Sequence, residues 1–272
     1  MKDSTRHIIE DYYSRYHNRD YITPDPIEFL FDYPDLRDRE IVAFIASSLA
    51  YGRVALIKRS VAWILERIDP PFETIMTMSP KNLHRRLAPF KHRFTPGHQL
   101  ACVLLGIRQL IEKHGSLNAA FLAGDEGGTD TNHDTAQYTG EKSDPPDIIK
   151  TLTSFTDAIR NTSGTDCKFL VADPRNNNAC KRLLLFLRWM VRKDEIDPGG
   201  WHGVSPARLV TPLDTHMFAV GKALGIINRA SSNLKAATEM TRALAMIDPD
   251  DPVKFDFSLS RSGIHPDVPK IV

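Results

Sequence analysis

Cysteine is scarce in this sequence, and no apolar stretch is long. Only Cys102, Cys167 and Cys180 occur among 272 residues. Three thiols cannot supply a four-thiolate zinc or iron–sulfur site, and an odd, widely spaced set is not a disulfide framework. A reducing compartment is expected. The longest apolar runs, such as Ala101–Ile107, fall well short of a membrane span, and Met1-Lys2-Asp3-Ser4 opens a polar stretch without a hydrophobic signal core. A soluble, cytoplasmic protein with no membrane association is expected. Net charge is also nearly absent, at +1, so no global field announces nucleic acid or membrane. A hydrophobic content of 42% with 25% charged residues excludes wholesale disorder. The length allows one large domain or two small ones.

Short alternating segments rich in β-branched residues are missing too, so no sheet is expected. Helical periodicity is what remains. Leu36, Ile41, Phe44, Ile45 and Leu49 share a face between Asp35 and Tyr51, and Gly52 breaks the pattern. Val54–Ile68 repeats it, and Gln99–His114 is a third such stretch with Gly115 as its stop. Further helices are expected near Asp147–Arg160, Cys180–Lys193, Asp214–Leu224 and Asn233–Ile247. The expected fold is all-α, a single protein of two helical lobes with a cleft between them.

One stretch departs from this pattern. Residues 124–147 contain four glycines, two prolines and seven acidic residues against one lysine, with hardly any apolar residue. Such a segment cannot bury enough surface to offset its ordering entropy, and a mobile, disordered acidic insertion is expected. Its charge of −6 leaves about +7 on the rest of the chain. Lys168 to Lys193 alone holds seven basic residues against Asp173. The near-zero total therefore conceals a basic segment.

Residues 176–225 carry the chemistry. On a helix from Cys180, Leu183, Leu184, Leu187, Met190 and Val191 form the apolar face, while Lys181, Leu185, Arg188 and Arg192 follow another stripe. Lys181 falls in the first turn, where the positive end of the helix dipole and Arg182 disfavour a protonated amine, so it is a candidate nucleophile. The plainer alternative is a solvated basic face. Arg182, Arg188 and Arg192 are candidate phosphate contacts. A non-helical link, Asp197-Pro198-Gly199-Gly200-Trp201-His202-Gly203, leads towards Pro212-Leu213-Asp214-Thr215-His216, where Asp214 is a helix N-cap by type and position. Capping is compatible with catalysis, because an aspartate held by backbone N–H groups suits stabilisation of a developing cation.

The segment Leu213-Asp214-Thr215-His216-Met217-Phe218-Ala219-Val220 resembles the Val-Asp-Thr-His segment of helix-hairpin-helix DNA glycosylases of the endonuclease III type. That resemblance implies a catalytic aspartate, Asp214, and a Schiff-base lysine on a preceding helix, matched best by Lys181. Their separation of 33 residues is closer to that of archaeal 8-oxoguanine glycosylases. Over nearly its full length the chain is also similar to the domain-of-unknown-function 2400 family of conserved hypothetical proteins. That similarity runs from Asp25-Pro26-Ile27-Glu28-Phe29 through Ala50-Tyr51-Gly52-Arg53 and Leu187-Arg188-Trp189-Met190-Val191-Arg192 to Asp251-Pro252-Val253-Lys254-Phe255-Asp256. Two glycosylase features are missing: a Leu-Pro-Gly-Val-Gly hairpin before Asp214, and the four-cysteine cluster of endonuclease III.

The glycosylase resemblance implies damaged duplex DNA as the partner, a flipped-out nucleotide, and no cofactor or metal. It implies that Asp214 stabilises positive charge at the sugar C1′ and that Lys181 attacks that carbon before strand cleavage by β-elimination. Gly199 and Gly200 would hold phosphates through their N–H groups, with Arg188 and Arg192 beside them. Trp201 would either stack on a base or pack the link. Tyr51 and Arg53 would lie at a cleft mouth or simply end a helix. No protein partner is inferred. The rivals are a non-catalytic nucleic-acid-binding helical protein and a metal-dependent hydrolase built on Asp214 and His216. The run Phe90-Lys91-His92-Arg93-Phe94 interleaves aromatics with bases, and helix-end packing with solvated charges is the expectation there.

Overall fold

The computed structural model describes residues 1–125, 147–163, 167, 169–176 and 178–271. Most of the expected acidic insertion lies outside these residues. Its first residues close a helix end, with Gly124 N–H on the Phe121 carbonyl and Asp125 N–H on the Leu122 carbonyl, and Asp147 opens a helix. The fold of the described residues is all-α apart from one minimal hairpin, and the chain divides into two compact units. Among the described residues no helix is long and apolar enough to cross a membrane.

The first unit draws on Met1–Thr23, Gly127–Lys150 and Pro174–Val272. It contains α1 (Asp3–Tyr16), α9 (Lys181–Val191), α10 (Thr215–Ala223), α11 (Leu234–Ala245) and α12 (Asp256–Ile264). Helix α12 is central: every residue from Asp256 to Ser262 is buried, and it packs against both α1 and α10. Helix α9 is buried without interruption from Leu183 to Val191. The periodicity assigns that helix one apolar face. The structure covers its second stripe as well, which requires its arginines to find partners inside.

The second unit draws on Pro24–Glu126 and Thr151–Asp173. It contains α2 (Leu36–Ser48), α3 (Val54–Ile68), α4 (Pro71–Thr77), α5 (Pro80–Leu87), α6 (Gly97–His114), α7 (Leu117–Leu122) and the Thr151–Ser163 part of α8 (Asp147–Ser163). Helix α2 is the core element, buried continuously from Glu40 to Ser48, and packs on the 3-10 turn Pro26–Asp32 and on α3 and α4. It ends at Ser48, three residues before the expected Tyr51, because the Leu49 and Ala50 N–H groups close the last turn ahead of Gly52. Gly106 lets α6 approach α8 closely, since a Cβ there would stand 2.8 Å from Ser163 Oγ. The two-residue strands β1 (Lys91–His92) and β2 (Thr95–Pro96) pair antiparallel, with Lys91 opposite Pro96 and His92 opposite Thr95.

One buried carboxylate ties two of these helices. Glu40 of α2, 1% exposed, accepts the N–H groups of Leu117 (3.2 Å) and Asn118 (2.9 Å) at the start of α7. It supplies acceptors to donors that a helix N-terminus otherwise leaves orphaned. Glu40→Ala is expected to lower the unfolding free energy by about 2 kcal/mol in urea titrations, with partial recovery in Glu40→Gln, which keeps one acceptor. Equal midpoints for wild type and Glu40→Ala would remove the capping role.

Candidate active site

The loop before α9 is shaped by Asn178, whose Oδ1 accepts from the Cys180 N–H at 2.8 Å and from its Sγ at 3.0 Å. Cys180 adopts a left-handed backbone with φ +49°, and its carbonyl accepts the N–H groups of Leu183 and Leu184. Lys181 is therefore the first residue of α9, at its N-terminus as the sequence implied, and is half-buried. Asp214 caps α10: its Oδ1 accepts the Met217 N–H at 2.8 Å. The strand-like approach to Asp214 is anchored at Thr211, whose N–H donates to Thr241 Oγ1 of α11 at 2.9 Å. His216 is exposed, and its ring lies where a Cβ on Gly263 would come within 2.5 Å of Nδ1. Asp214 and His216 thus serve different contacts. Among the described residues no group of three or more His, Cys, Asp or Glu is placed to hold a metal ion.

Arg188 and Arg192 do not face solvent. Both are 3% exposed, which corrects the expectation that they grip phosphates. Arg188 Nε reaches Asp197 Oδ1 at 3.1 Å, and its Nη1 donates to Asp256 Oδ2. Arg192 Nη1 donates to Asp197 Oδ2, its Nε to Asp251 Oδ1 at 2.9 Å, and its Nη2 to Asp194 Oδ2 at 2.7 Å. His17 Nε2 lies 2.8 Å from Asp194 Oδ2. Two buried guanidiniums thus face four carboxylates, Asp197 and Asp256 buried with them and Asp194 and Asp251 partly exposed, and the buried charges each need a partner.

Burial acts first on the acidities of these groups. Asp256 is pushed up to about 6 by burial; Arg188 opposes the shift, and the negative charge of Asp214 adds to it. Asp197 is raised by burial as well, against the pull of Arg188 and Arg192. For Asp194, burial works against ionisation. The hydrogen bond from His17 and the charge of Arg192 outweigh it and hold that carboxyl well below the usual range. The influence of Asp214 on Asp256 places the α10 cap within electrostatic reach of the pair made by Arg188. Lys181 is two helical turns from Arg188 on α9, on the same face and about 10 Å along the axis.

The glycine-rich link is also committed internally. Gly199 and Gly200 have φ of +62° and +128°, conformations that glycine adopts without a Cβ penalty. Gly199 N–H donates to the Trp189 carbonyl at 3.0 Å and Trp201 N–H to that of Met190 at 2.9 Å, so the link closes the C-terminal end of α9. The Gly199 N–H expected to hold a phosphate is thus engaged within the chain. Trp201 is 4% exposed and packs edge-on to Phe186 at 5.2 Å, which decides its two readings in favour of packing. Arg182 and Gly200 keep part of their surface.

In the second unit, Tyr51 is built into the β1–β2 hairpin. Its hydroxyl donates to the His92 carbonyl at 2.7 Å and contacts Thr95 Oγ1 at 2.8 Å. The buried His92 ring answers with Nε2 3.1 Å from the Tyr51 carbonyl and Nδ1 2.8 Å from Ser60 Oγ of α3. Arg53 is exposed just before α3. The Phe90–Phe94 run splits: Phe90 packs on Trp63 at 5.5 Å, as helix-end packing implied, whereas Phe94 is 67% exposed.

Residues 25–265 match a family model described as Protein of unknown function (DUF2400). The chain belongs to this family. No curated protein and no solved structure matches the DUF2400 chain. Lys181, Asp214 and the network residues Arg188, Arg192, Asp194, Asp197, Asp251 and Asp256 fall within the matched span, and His17 lies before it.

Sequence reasoning missed the four aspartates. Asp251 and Asp256 stand 59 and 68 residues from their arginines, and no local periodicity links residues so far apart. The available signal was indirect: arginines at helical spacing beside a run of leucines imply internal carboxylates once both faces are buried.

Two outcomes test the network. Arg188→Ala leaves Asp197 and Asp256 without one of their cations and is expected to cost about 3–5 kcal/mol of stability in denaturant titration. An effect below about 1 kcal/mol would mean the pairs contribute nothing. The second outcome concerns pH. Asp256 keeps its proton in the folded state above the ordinary carboxylate range, so its contribution is full below about pH 4 and is lost as pH rises through about 6. Asp194 acts oppositely, its contribution present above about pH 4 and lost in acid. Asp256→Asn should therefore flatten the decline in stability between about pH 4 and pH 6.5, read from urea midpoints; an unchanged slope counts against the assignment.

Proposed function

We propose that this chain is a DNA base-excision repair glycosylase with abasic-site (AP) lyase activity, with Lys181 as nucleophile and Asp214 as the carboxylate that stabilises the developing cation. The observation that carries the reading is the paired placement of these groups within one unit. Lys181 opens α9, Asp214 caps α10, and the Arg188–Asp256 contact joins the first helix to an acid that feels the second group's charge. In this reading the Lys181 amine, once deprotonated, forms a bond to the sugar C1′. The C1′–base bond breaks, the base departing with the electron pair and a proton. Ring opening gives the protonated Schiff base, loss of a C2′ proton expels the 3′ phosphate by β-elimination, and water releases the sugar fragment.

Arg188 and Arg192 have no part in DNA contact in this scheme; their role is to hold α9 in register with α12. Arg182, Gly200 and Arg53 remain as candidate DNA contacts. The cysteines form no disulfide among themselves, in keeping with a reducing compartment, and we place the protein in the cytoplasm.

The test is borohydride trapping on duplexes carrying 8-oxoguanine, uracil or an abasic site. A covalent adduct with wild type that is absent in Lys181→Gln and reduced by at least about 100-fold in Asp214→Asn is the expected result. If no substrate traps while binding stays salt-dependent, the lyase reading fails and the non-catalytic DNA-binding reading replaces it.

A further inference from the structure

The β1–β2 hairpin presents what soluble proteins usually hide. Its two-residue tip is Arg93-Phe94, and Phe94 is 67% exposed, the most exposed of the large hydrophobic side chains among the described residues. Phe169, 40% exposed, stands edge-on to it at 5.7 Å, and Tyr51 stands edge-on to Phe169 at 5.0 Å. The three rings form one connected aromatic surface within the second unit.

This surface is rigidly mounted. Tyr51, His92, Thr95 and Ser60 close a hydrogen-bonded set beneath it. Gly97 N–H donates to the Phe90 carbonyl at 2.8 Å and closes the hairpin base. Arg93 takes φ +50°, a backbone region where glycine is the usual occupant, and its side chain runs over Gly52, where a Cβ would lie 2.7 Å from Nη1. The guanidinium is thereby set 5.4 Å from the Phe94 ring and 6.0 Å from that of Tyr51.

Charge accompanies the rings. Lys91, Arg93 and Arg53 are exposed, and none of them makes an ion pair among the described residues. Residues 50–53 and 91–95 contain no carboxylate. An apolar protein partner would be served by the rings without three cations that no described carboxylate pairs, and an acidic peptide by the cations without the plates. Flat rings interleaved with cations match the alternation of base and phosphate in a polynucleotide.

We infer that the hairpin tip, Phe94 with Phe169, Tyr51, Arg93, Lys91 and Arg53, is a docking surface for single-stranded DNA, its rings stacking unpaired bases and its cations holding the flanking phosphates. The surface operates without Lys181 chemistry, and it gives the second unit a binding role of its own.

The experiment is fluorescence anisotropy of the full chain with labelled oligodeoxythymidine across a salt series. Phe94→Ala is expected to weaken binding about 5- to 100-fold, and Phe94→Trp to restore it, since stacking tolerates any large ring. Phe94 is 67% exposed, so its replacement leaves the core intact, and a wild-type thermal midpoint in the variants is the check. Arg53→Gln should lower the slope of log affinity against log salt by about 0.7, the contribution of one phosphate contact on a single strand. Unchanged affinity in Phe94→Ala overturns the inference, as does equal competition by polyglutamate, an anion without bases. Trapping is run on the same preparations. Thymidine binding that depends on Phe94 without any trapping leaves this inference standing and removes the lyase; trapping with Phe94-independent binding does the reverse.

Discussion

The contacts of Arg188 and Arg192 with Asp194, Asp197, Asp251 and Asp256 are the constraint on which the first unit depends. A helix with one apolar face can rotate and slide against a greasy neighbour at modest cost. Helix α9 cannot, because turning it would strand two guanidiniums and several carboxylates in the interior, and each orphaned charge costs several kcal/mol. Arg188 ties α9 to Asp256 at the start of α12, and Arg192 ties its end to Asp251 and to the Asp194–Asp197 turn. The glycine link then folds back over the last carbonyls of α9 and completes the clamp.

The same clamp determines where Lys181 sits. Seven residues make almost two full turns, so the azimuth of Arg188 is nearly that of Lys181. Fixing Arg188 against Asp256 therefore fixes the direction in which α9 presents its first lysine. Asp214 is positioned by independent means, the cap on Met217 and the Thr211–Thr241 contacts. Its charge is nevertheless felt by Asp256, which burial, opposed by Arg188 and reinforced by Asp214, pushes up to about 6. In the proposed chemistry Lys181 and Asp214 act from helix starts with a polar network behind them, a placement suited to a reaction that depends on positioning.

The second unit solves a different problem. Its core is the continuously buried α2, sealed by Glu40 at the start of α7 and by close α6–α8 contact at Gly106. Against that rigid background the hairpin keeps Phe94 in water and a non-glycine residue at positive φ. Neither feature adds to the stability of the fold, and both are held by a hydrogen-bonded set around Tyr51 and His92. Such local costs persist where the surrounding structure over-determines them, and they concentrate where molecules are recognised.

Local chemistry was legible in the sequence. The helices over residues 54–68, 97–114, 181–191 and 234–245 followed from their apolar periods, and Asp214 as an N-cap and Lys181 in a first turn followed from residue type and position. Helix α1 was overlooked because its polar, aromatic-rich face gives a weak period, and the hairpin because strands of two residues have no alternation to read. What the tertiary structure alone decided was which polar groups face inward. Arg188 and Arg192 look like a solvated basic stripe until α12 and residues 194–197 and 251 cover them, and Phe94 looks like a core residue until the hairpin turns it outward. The reason is physical: periodicity reports the shape of one helix, whereas burial of a charge depends on the partner that a distant stretch of chain delivers.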